Sequence, residues 1–246
     1  MRALPIAFLG LTLAACDTTP GETDRAFQAS GEIIAMSGGA GGAGNACFTC
    51  HGLKGEGDGV SSPRLAGLDQ GYLQKQMEDY ASGLRPDDVM TRVARGLDPE
   101  ARRIVAAWYA GLHAPPAGAS AAPRPSIWLT GDTARGITAC AACHGTEGQG
   151  AGAGQPIVAR QPAAYTLEQI DRWKSGRRRN DPRSVMAAAV QHLTEEEAQA
   201  IAHWLSTQSP SSARAEASLA RAASVAAAAR PAASRETRRP ARSDGG

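Results

Sequence analysis

Apolar residues recur at helical spacing between residues 72 and 82. Leu73, Met77 and Tyr80 are three or four positions apart, so they share one face of an α-helix. Gly83 follows this segment directly and is a typical helix stop. The pattern therefore predicts an amphipathic helix with one buried face.

A second amphipathic helix is predicted to end at Gly111. Asp98 suits the N-cap position, and Pro99 suits the first turn, where a missing N–H is tolerated. Ile104 and Trp108 then fall on one face of the helix. We expect Trp108 to be a core residue where the terminal helices of the domain cross.

The same hydrophobic pattern returns in the second half of the chain. The offset is ninety-three residues up to a three-residue insertion near 177–179, and ninety-six after it. A last helix is predicted after Thr194, where Glu197 completes a capping box. This repeat predicts two domains that share one all-α plan. The matched residues are Pro63 with Pro156, Tyr72 with Tyr165, Tyr80 with Trp173, Gly83 with Gly176, Met90 with Met186, Leu97 with Leu193, and Trp108 with Trp204.

Segments without an apolar face divide the chain. The two domains are predicted at 31–113 and 126–209, and an Ala- and Pro-rich linker at 114–125 joins them. The tail at 210–246 contains seven arginines and three acidic residues, a net charge of +4, whereas the whole chain carries +2. We expect this tail to be disordered. The alternative is that it contacts anionic lipid head groups or an acidic partner.

A glycine-rich stretch at 37–44 interrupts the start of the first domain. Residues 31–36 could begin a helix, but the glycines that follow are too flexible to continue it. A phosphate-binding loop would need Gly-Lys-Ser/Thr at this place, and the stretch has no such motif. We predict an inserted loop.

The N-terminus predicts export and lipid attachment. Residues 1–15 join a charged start to an apolar run too short to span a bilayer, as in a secretory signal peptide. The Leu-Ala-Ala-Cys sequence that ends at Cys16 resembles a bacterial lipobox, in which the cysteine carries lipid; a plain cleaved signal is the alternative. Asp17 resembles an inner-membrane retention signal. We therefore expect residues 16–30 to tether the protein to the periplasmic face of the cytoplasmic membrane.

The composition bears on how such small domains become stable. Only 4% of the 246 residues are aromatic. A domain of roughly 80 residues with so few large side chains is marginal when protein packing alone stabilises it. A buried prosthetic group would supply the missing apolar core.

Two copies of Cys-x-x-Cys-His carry the chemistry. This motif is the attachment signature of c-type haem, in which both sulfurs join the porphyrin and the histidine ligates the iron. Positions i, i+3 and i+4 share one face of a helix, so all three side chains can meet one haem. A zinc site would need further ligands, and the other histidines do not form a matching set for each copy. The motifs place Cys47, Cys50 and His51 on one haem c and Cys140, Cys143 and His144 on a second.

The opposite axial ligand of each iron is predicted from the repeat. Met90 and Met186 lie thirty-nine and forty-two residues after their histidines, in the loop between two predicted helices, and no other methionine recurs at matching positions. Methionine pairs with histidine on the iron of cytochromes c and raises the reduction potential. His192 is the nearby rival, although it aligns with Gly96 and a surface role is the simpler interpretation. A filled sixth site favours electron transfer over oxygen or peroxide chemistry.

With both copies in view, the chain resembles a dihaem cytochrome of the cytochrome c4 type over about residues 31–209. The resemblance rests on C-x-x-C-H-G, then a proline with an apolar residue two positions on, a tyrosine, an aromatic three before glycine, and a methionine, all twice over. It implies two class I cytochrome c domains related by an approximate two-fold axis. The departures are the glycine-rich insertion, Arg160 in the place of Gly67, the lipid anchor and the basic tail.

The resemblance also implies roles for residues around the haems. In class I cytochromes c, a proline twelve residues beyond the ligand histidine offers its carbonyl to the imidazole N–H; the alternative is a proline that only shapes a loop. Near the domain junction, tyrosines and arginines would bond the haem propionates. Core packing is the alternative for the tyrosines and a solvated surface position for the arginines. The residues concerned are Pro63 and Pro156, Tyr72 and Tyr165, and Arg85 and Arg178.

These expectations lead to one functional hypothesis and two alternatives. The leading one is a membrane-tethered electron carrier, not an enzyme, that passes single electrons from a quinol-oxidising complex to a terminal oxidase or another acceptor. Its partners would be redox proteins and the membrane, with no nucleic acid and no small-molecule substrate. The first alternative is the haem subunit of a periplasmic dehydrogenase complex. The second is a dihaem peroxidase, which would need an open or displaceable iron site.

Overall fold

The computed structural model describes residues 30–113 and 122–208. Over these residues the regular structure is helical, and the extended pairing is confined to two isolated bridges, Asp132 with Ile137 and Gly152 with Gln155. The all-α prediction is confirmed. The predicted signal peptide, Cys16 and the basic tail lie outside the described residues, as does most of the predicted linker.

Five helices form the first domain. They are α1 (Gly31–Ser37), α2 (Phe48–His51), α3 (Gln70–Ser82), α4 (Met90–Arg95) and α5 (Pro99–Gly111). The second domain repeats them as α6 (Ser126–Thr130), α7 (Ala141–His144), α8 (Ala163–Lys174), α9 (Val185–Val190) and α10 (Glu195–Ser206).

The helix boundaries follow from local capping chemistry. Asp69 accepts a hydrogen bond from the Tyr72 N–H at the start of α3, and Asp98 accepts one from Ala101 at the start of α5. Thr194 and Glu197 form the predicted capping box ahead of α10. Each cap satisfies N–H groups that the first turn leaves without a helical partner.

The glycine-rich stretch after α1 contains two 3₁₀ turns, at Gly39–Gly41 and Ala43–Asn45. Helix α1 is nevertheless present and ends at Gly38 in the left-handed conformation. It packs against α5 at very short range, because a Cβ atom on Gly31 would lie 2.4 Å from the Cβ of Trp108. The stretch is therefore a loop inserted after a short helix.

Each domain has its own apolar core. In the first, α3 packs against α5 and α4, and Leu73, Val105 and Tyr109 are among the buried residues. In the second, α8 packs against α10 and α9, and the Trp128 ring contacts the Trp204 ring in a tilted arrangement, with 5.0 Å between the ring centroids. Cys47 of the first motif and Cys140 of the second pack against these cores.

The two domains meet in a reciprocal set of polar contacts. The Arg85 Nη2 of the first domain donates to Gln169 Oε1 of the second at 2.8 Å. The Arg178 Nη2 of the second domain donates to Gln76 Oε1 of the first at 3.2 Å. Each residue of one contact lies ninety-three positions from its counterpart in the other. The domains are therefore related by an approximate two-fold axis, as the resemblance implied.

Within residues 30–113 and 122–208, no helix combines the length and the apolar character needed to cross a membrane.

Candidate haem-binding sites

Each Cys-x-x-Cys-His motif forms a single helical turn. Cys47 is the N-cap of α2 and His51 its last residue, after which Gly52 leaves the helix with φ of 79°. The second motif has the same form, with Gly145 at φ 79° after His144. The helical spacing predicted for the two sulfurs and the imidazole is thus present in both copies.

A backbone carbonyl orients each histidine. His51 Nδ1 lies 2.9 Å from Pro63 O, and His144 Nδ1 lies 2.9 Å from Pro156 O. Burial lowers the pKa of both imidazoles, and the contact with the carbonyl only partly opposes this. A neutral ring that donates from Nδ1 leaves Nε2 as the metal-binding nitrogen.

A tight return loop brings each proline back to its histidine. The Gly55 carbonyl accepts from the N–H groups of Leu65 and Ala66 at 2.8 and 3.0 Å, and the Gly148 carbonyl does the same with the equivalent residues. Gly55 has φ of 67°, and a Cβ atom there would lie 2.8 Å from the Tyr109 ring. Only glycine fits both the conformation and the space.

The donor set fits haem c and not zinc. The four motif cysteines are free of disulfide bonds, and burial raises the pKa of Cys140 to about 11 and also raises that of Cys47. In the described part of the chain, no group of three or more His, Cys, Asp or Glu side chains could hold a metal ion. His192 is exposed, which agrees with the surface role.

The two candidate methionine ligands lie at helix starts, which corrects the prediction that they sit in a loop. Met90 is the first residue of α4, and its N–H donates to Asp87 Oδ1 at 2.8 Å. Met186 is the second residue of α9, and its N–H donates to Asp181 Oδ2. Carboxylates cap helix starts, so an aspartate fixes the backbone of each methionine.

The opposite domain holds the segment ahead of each methionine. Arg172 of α8 donates to Pro86 O at 3.0 Å and pairs with Asp87 at 3.1 Å. Lys75 and Asp79 of α3 bond Asn180, with 2.8 Å from Lys75 Nζ to Asn180 O and 2.6 Å from Asn180 Nδ2 to Asp79 Oδ2. Domain docking and methionine placement therefore depend on the same contacts.

Arg85 is buried at the junction, with 3% of its surface exposed. Its guanidinium stacks over the Tyr80 ring at 4.6 Å and donates to Gln76 Oε1 at 2.9 Å and Tyr165 Oη at 3.0 Å, besides the bond to Gln169. All of these partners are neutral. The solvated surface position considered as the alternative for Arg85 is wrong.

Arg178 repeats this environment in the second domain, with 8% of its surface exposed, so the surface alternative is wrong here too. It stacks over the Trp173 ring at 4.5 Å and donates to Asn180 Oδ1 at 3.0 Å and Gln169 Oε1 at 2.8 Å. The Tyr72 hydroxyl is buried beside both arginines. Desolvation raises its pKa, but the two cations outweigh this effect and lower it.

Neither Arg85 nor Arg178 forms an ion pair with a carboxylate of the described residues. A buried charge without a counter-charge is strongly unfavourable, so the junction fits an anionic group. Haem carries two such carboxylates as its propionates. Contact with the propionates stays a prediction for these arginines and for Tyr72 and Tyr165.

Two further arginines lie at the junction. The sequence pattern gives no sign of Arg64, and it marks Arg160 only as a departure from glycine. Arg64 has 3% of its surface exposed and donates from Nη2 to Ala159 O of the second domain at 3.1 Å, while its Nε has no partner. Arg160 holds φ of 64° in the place of Gly67, and its buried Nη1 also lacks a partner. The replacement of glycine by Arg160 therefore adds a positive charge at the junction.

Trp128 is the other residue that sequence reasoning missed. Its Nε1 donates to the carbonyls of Gly145 and Thr146, both at 3.1 Å, and its ring centroid lies 6.4 Å from that of His144. It therefore fixes the chain directly after the second motif. Its place in a short helix with little periodicity left no sequence signal.

Comparison with known proteins agrees with this geometry. The cytochrome c family model matches residues 39–108 and 131–209, one match for each domain. The chain belongs to the cytochrome c family. It is a dihaem cytochrome of the c4 type that carries electrons through two covalently bound haem c groups and acts with redox protein partners. Cytochromes c of this kind are generally periplasmic.

Two curated relatives and one solved structure are similar over most of this chain. A thiosulfate dehydrogenase electron acceptor of Stutzerimonas stutzeri (strain A1501) is 37% identical over 187 residues, which cover 73% of this chain and 87% of that protein. Cytochrome c4 of Thiocapsa roseopersicina is 32% identical, over 65% of this chain and 85% of that protein. The solved structure is the as-isolated form of the thiosulfate dehydrogenase TsdBA of Marichromatium purpuratum, which is 36% identical with a TM-score of 0.61. The match covers 72% of this chain and 39% of the TsdBA chain.

Arg178→Met tests the electrostatic role of the junction. A buried cation favours the reduced, less positive iron, so its loss lowers the reduction potential by on the order of 1 kcal/mol per electron at an effective dielectric constant of about 20. We expect the shift to persist at high salt, because buried charges are screened weakly. A spectroscopic redox titration measures it. Arg103→Met is the control, since Arg103 is exposed and pairs with Glu100; an equal shift in both variants would contradict the role.

Proposed function

We propose that this dihaem cytochrome accepts electrons from a thiosulfate dehydrogenase and passes them singly to a respiratory acceptor. The observation that carries the proposal is the 37% identity over 87% of the Stutzerimonas acceptor. A similar match covers 39% of TsdBA, whose name denotes a thiosulfate dehydrogenase. A dehydrogenase partner corresponds to the haem-subunit alternative of the sequence analysis.

A second candidate is a carrier between a quinol-oxidising complex and a terminal oxidase. The similarity to cytochrome c4 supports it, at 32% identity over 85% of that protein. The two candidates share the same chemistry and differ in the electron donor.

Each bound haem supplies a one-electron Fe(III)/Fe(II) couple. We infer that His51 and Met90 ligate one iron and His144 and Met186 the other, with the sulfurs of Cys47, Cys50, Cys140 and Cys143 as covalent attachments. Pro63 and Pro156 fix the imidazoles through their carbonyls, and a fixed imidazole is a stronger donor.

The junction residues complete this proposal. Arg85 and Arg178, with Tyr72 and Tyr165, would neutralise haem propionates in a region closed to water. Their partners within the described residues are neutral amides, hydroxyls and aromatic rings, which orient the guanidiniums without cancelling their charge. The arginines therefore retain charge for the haem carboxylates.

Lipid on Cys16 would keep this relay at the periplasmic face of the cytoplasmic membrane. The lipobox-like sequence before Cys16 supports the anchor, and more than one acyl chain gives stable binding where a single chain does not. An anchored acceptor stays close to membrane-bound oxidases. The basic tail would add attraction to anionic lipid.

Replacement of either proposed methionine ligand tests the axial assignment. The far-red charge-transfer band of ferric haem reports methionine ligation, so Met90→Ala and Met186→Ala should each remove about half of it. The absorption spectrum of the oxidised protein measures this. Met77→Leu is the control, because Met77 packs against the first core and should leave the band intact. A full band in Met186→Ala would overturn that ligand pair.

Electron delivery from the donor tests the proposed function. We expect thiosulfate with a purified thiosulfate dehydrogenase to reduce both haems of the full chain, followed by visible absorption after rapid mixing. Reactions without thiosulfate or without the dehydrogenase should leave the haems oxidised. Reduction by a quinol-oxidising complex alone, with no response to the dehydrogenase, would favour the second candidate.

Cys16→Ser tests the lipid anchor. Loss of the lipidated thiol should move the protein from the membrane fraction to the soluble periplasmic fraction, as shown by fractionation and haem staining. Thr18→Ser is the matched control and should stay with the membrane. Retention of Cys16→Ser in the membrane fraction would show that something other than this lipid holds the protein there.

A further inference from the structure

A buried glutamine of the second domain binds the backbone of the first. Gln161 Oε1 accepts from the Arg64 N–H at 3.0 Å, and Gln161 Nε2 donates to Arg64 O at 3.0 Å. Both residues are nearly inaccessible to solvent, with 5% and 3% of their surfaces exposed. One side-chain amide thus satisfies both polar backbone groups of Arg64, and water cannot easily replace it.

The residue that Gln161 holds adjoins the histidine contact of the first haem. Arg64 directly follows Pro63, whose carbonyl lies 2.9 Å from His51 Nδ1. The Arg64 side chain adds bonds to Ala66 O of its own domain and to Ala159 O of the second. The peptide unit between Pro63 and Arg64 orients His51 through its carbonyl. The second domain therefore fixes this unit through contacts with Arg64.

The second haem lacks the reciprocal contact. The position that matches Gln161 in the first domain is Leu68, a buried residue of the first core. The position that matches Arg64 is Ile157, which packs against that same core. The two-fold symmetry of the junction is thus broken at this point. The first haem site has the two Gln161–Arg64 hydrogen bonds, here called the clamp, and the second has an apolar contact.

We propose that Gln161 is a positioning residue through which the second domain sets the strength of the His51–Pro63 hydrogen bond and the reduction potential of the first haem. The proposal depends on ligation of haem by His51. It does not depend on which protein delivers electrons, so a failed donor experiment leaves it standing.

The direction of the effect follows from ligand basicity. A short, well-aligned bond from Nδ1 to a carbonyl makes the imidazole a stronger donor, and a stronger donor stabilises ferric iron. By holding the Pro63 carbonyl in place, Gln161 lowers the potential of the first haem. Loss of the clamp should raise that potential and leave the second haem unchanged.

Gln161→Met in the full-length haem protein tests the proposal. Methionine is similar in length and apolar, so it removes both hydrogen bonds. The main readout is hydrogen exchange of the two ligand-ring N–H groups in the ferrous protein, labelled with ¹⁵N-histidine. We expect the His51 ring N–H to exchange roughly three- to tenfold faster, and the His144 ring N–H to keep its wild-type rate. A redox titration should show a higher reduction potential for one haem. At a fixed applied potential, its reduced-to-oxidised ratio should be about threefold higher than in the wild type.

Lys75→Met is the control for general loosening of the junction and is judged at His51 alone, because Lys75 bonds Asn180 on the Met186 side of the junction and does not touch Arg64. It should leave the His51 exchange rate unchanged. Equal acceleration in both variants, or at both histidines, would mean general loosening of the interface and would overturn the proposal. Unchanged exchange in Gln161→Met would also overturn it. If that variant fails to bind haem, Gln161→Asn, which is too short to reach both Arg64 atoms, should show an intermediate rate.

Discussion

Two arginines buried between the domains carry charge that no carboxylate of the described residues neutralises. Arg85 and Arg178 lie against each other's domains, and Gln76 and Gln169 accept bonds from both. A junction of this kind is costly without an anion. The proposed contact with the haem carboxylates would supply the missing counter-charge, and domain docking and haem binding would then stabilise each other.

The environment of each iron is therefore only partly local. The histidine side is fixed within a domain by a one-turn helix, a return loop and a proline carbonyl. The segments that precede the proposed methionine ligands are held across the junction, where Arg172 contacts Pro86 ahead of Met90 and Lys75 of α3 contacts Asn180 ahead of Met186. In the proposed arrangement both domains contribute to each haem site, and Gln161 distinguishes the first site from the second.

Much of the fold could be predicted because its signals are local. The capping residues Asp98 and Thr194 and the spacing of the two Cys-x-x-Cys-His motifs depend only on neighbours in sequence. The junction could not be predicted in the same way, because Arg64 and Gln161 are ninety-seven residues apart and neither belongs to a periodic pattern. The sequence predicts loops at the two methionines, because helices of six residues are too short to show a helical period.

A stoichiometric reductive titration of the purified chain, after acid–acetone extraction to remove unattached haem, tests most directly whether one chain holds two covalently bound haems that act as one-electron carriers. We expect two retained haems and uptake of two electrons per chain. Retention of one haem, or uptake of one electron, would contradict the dihaem assignment.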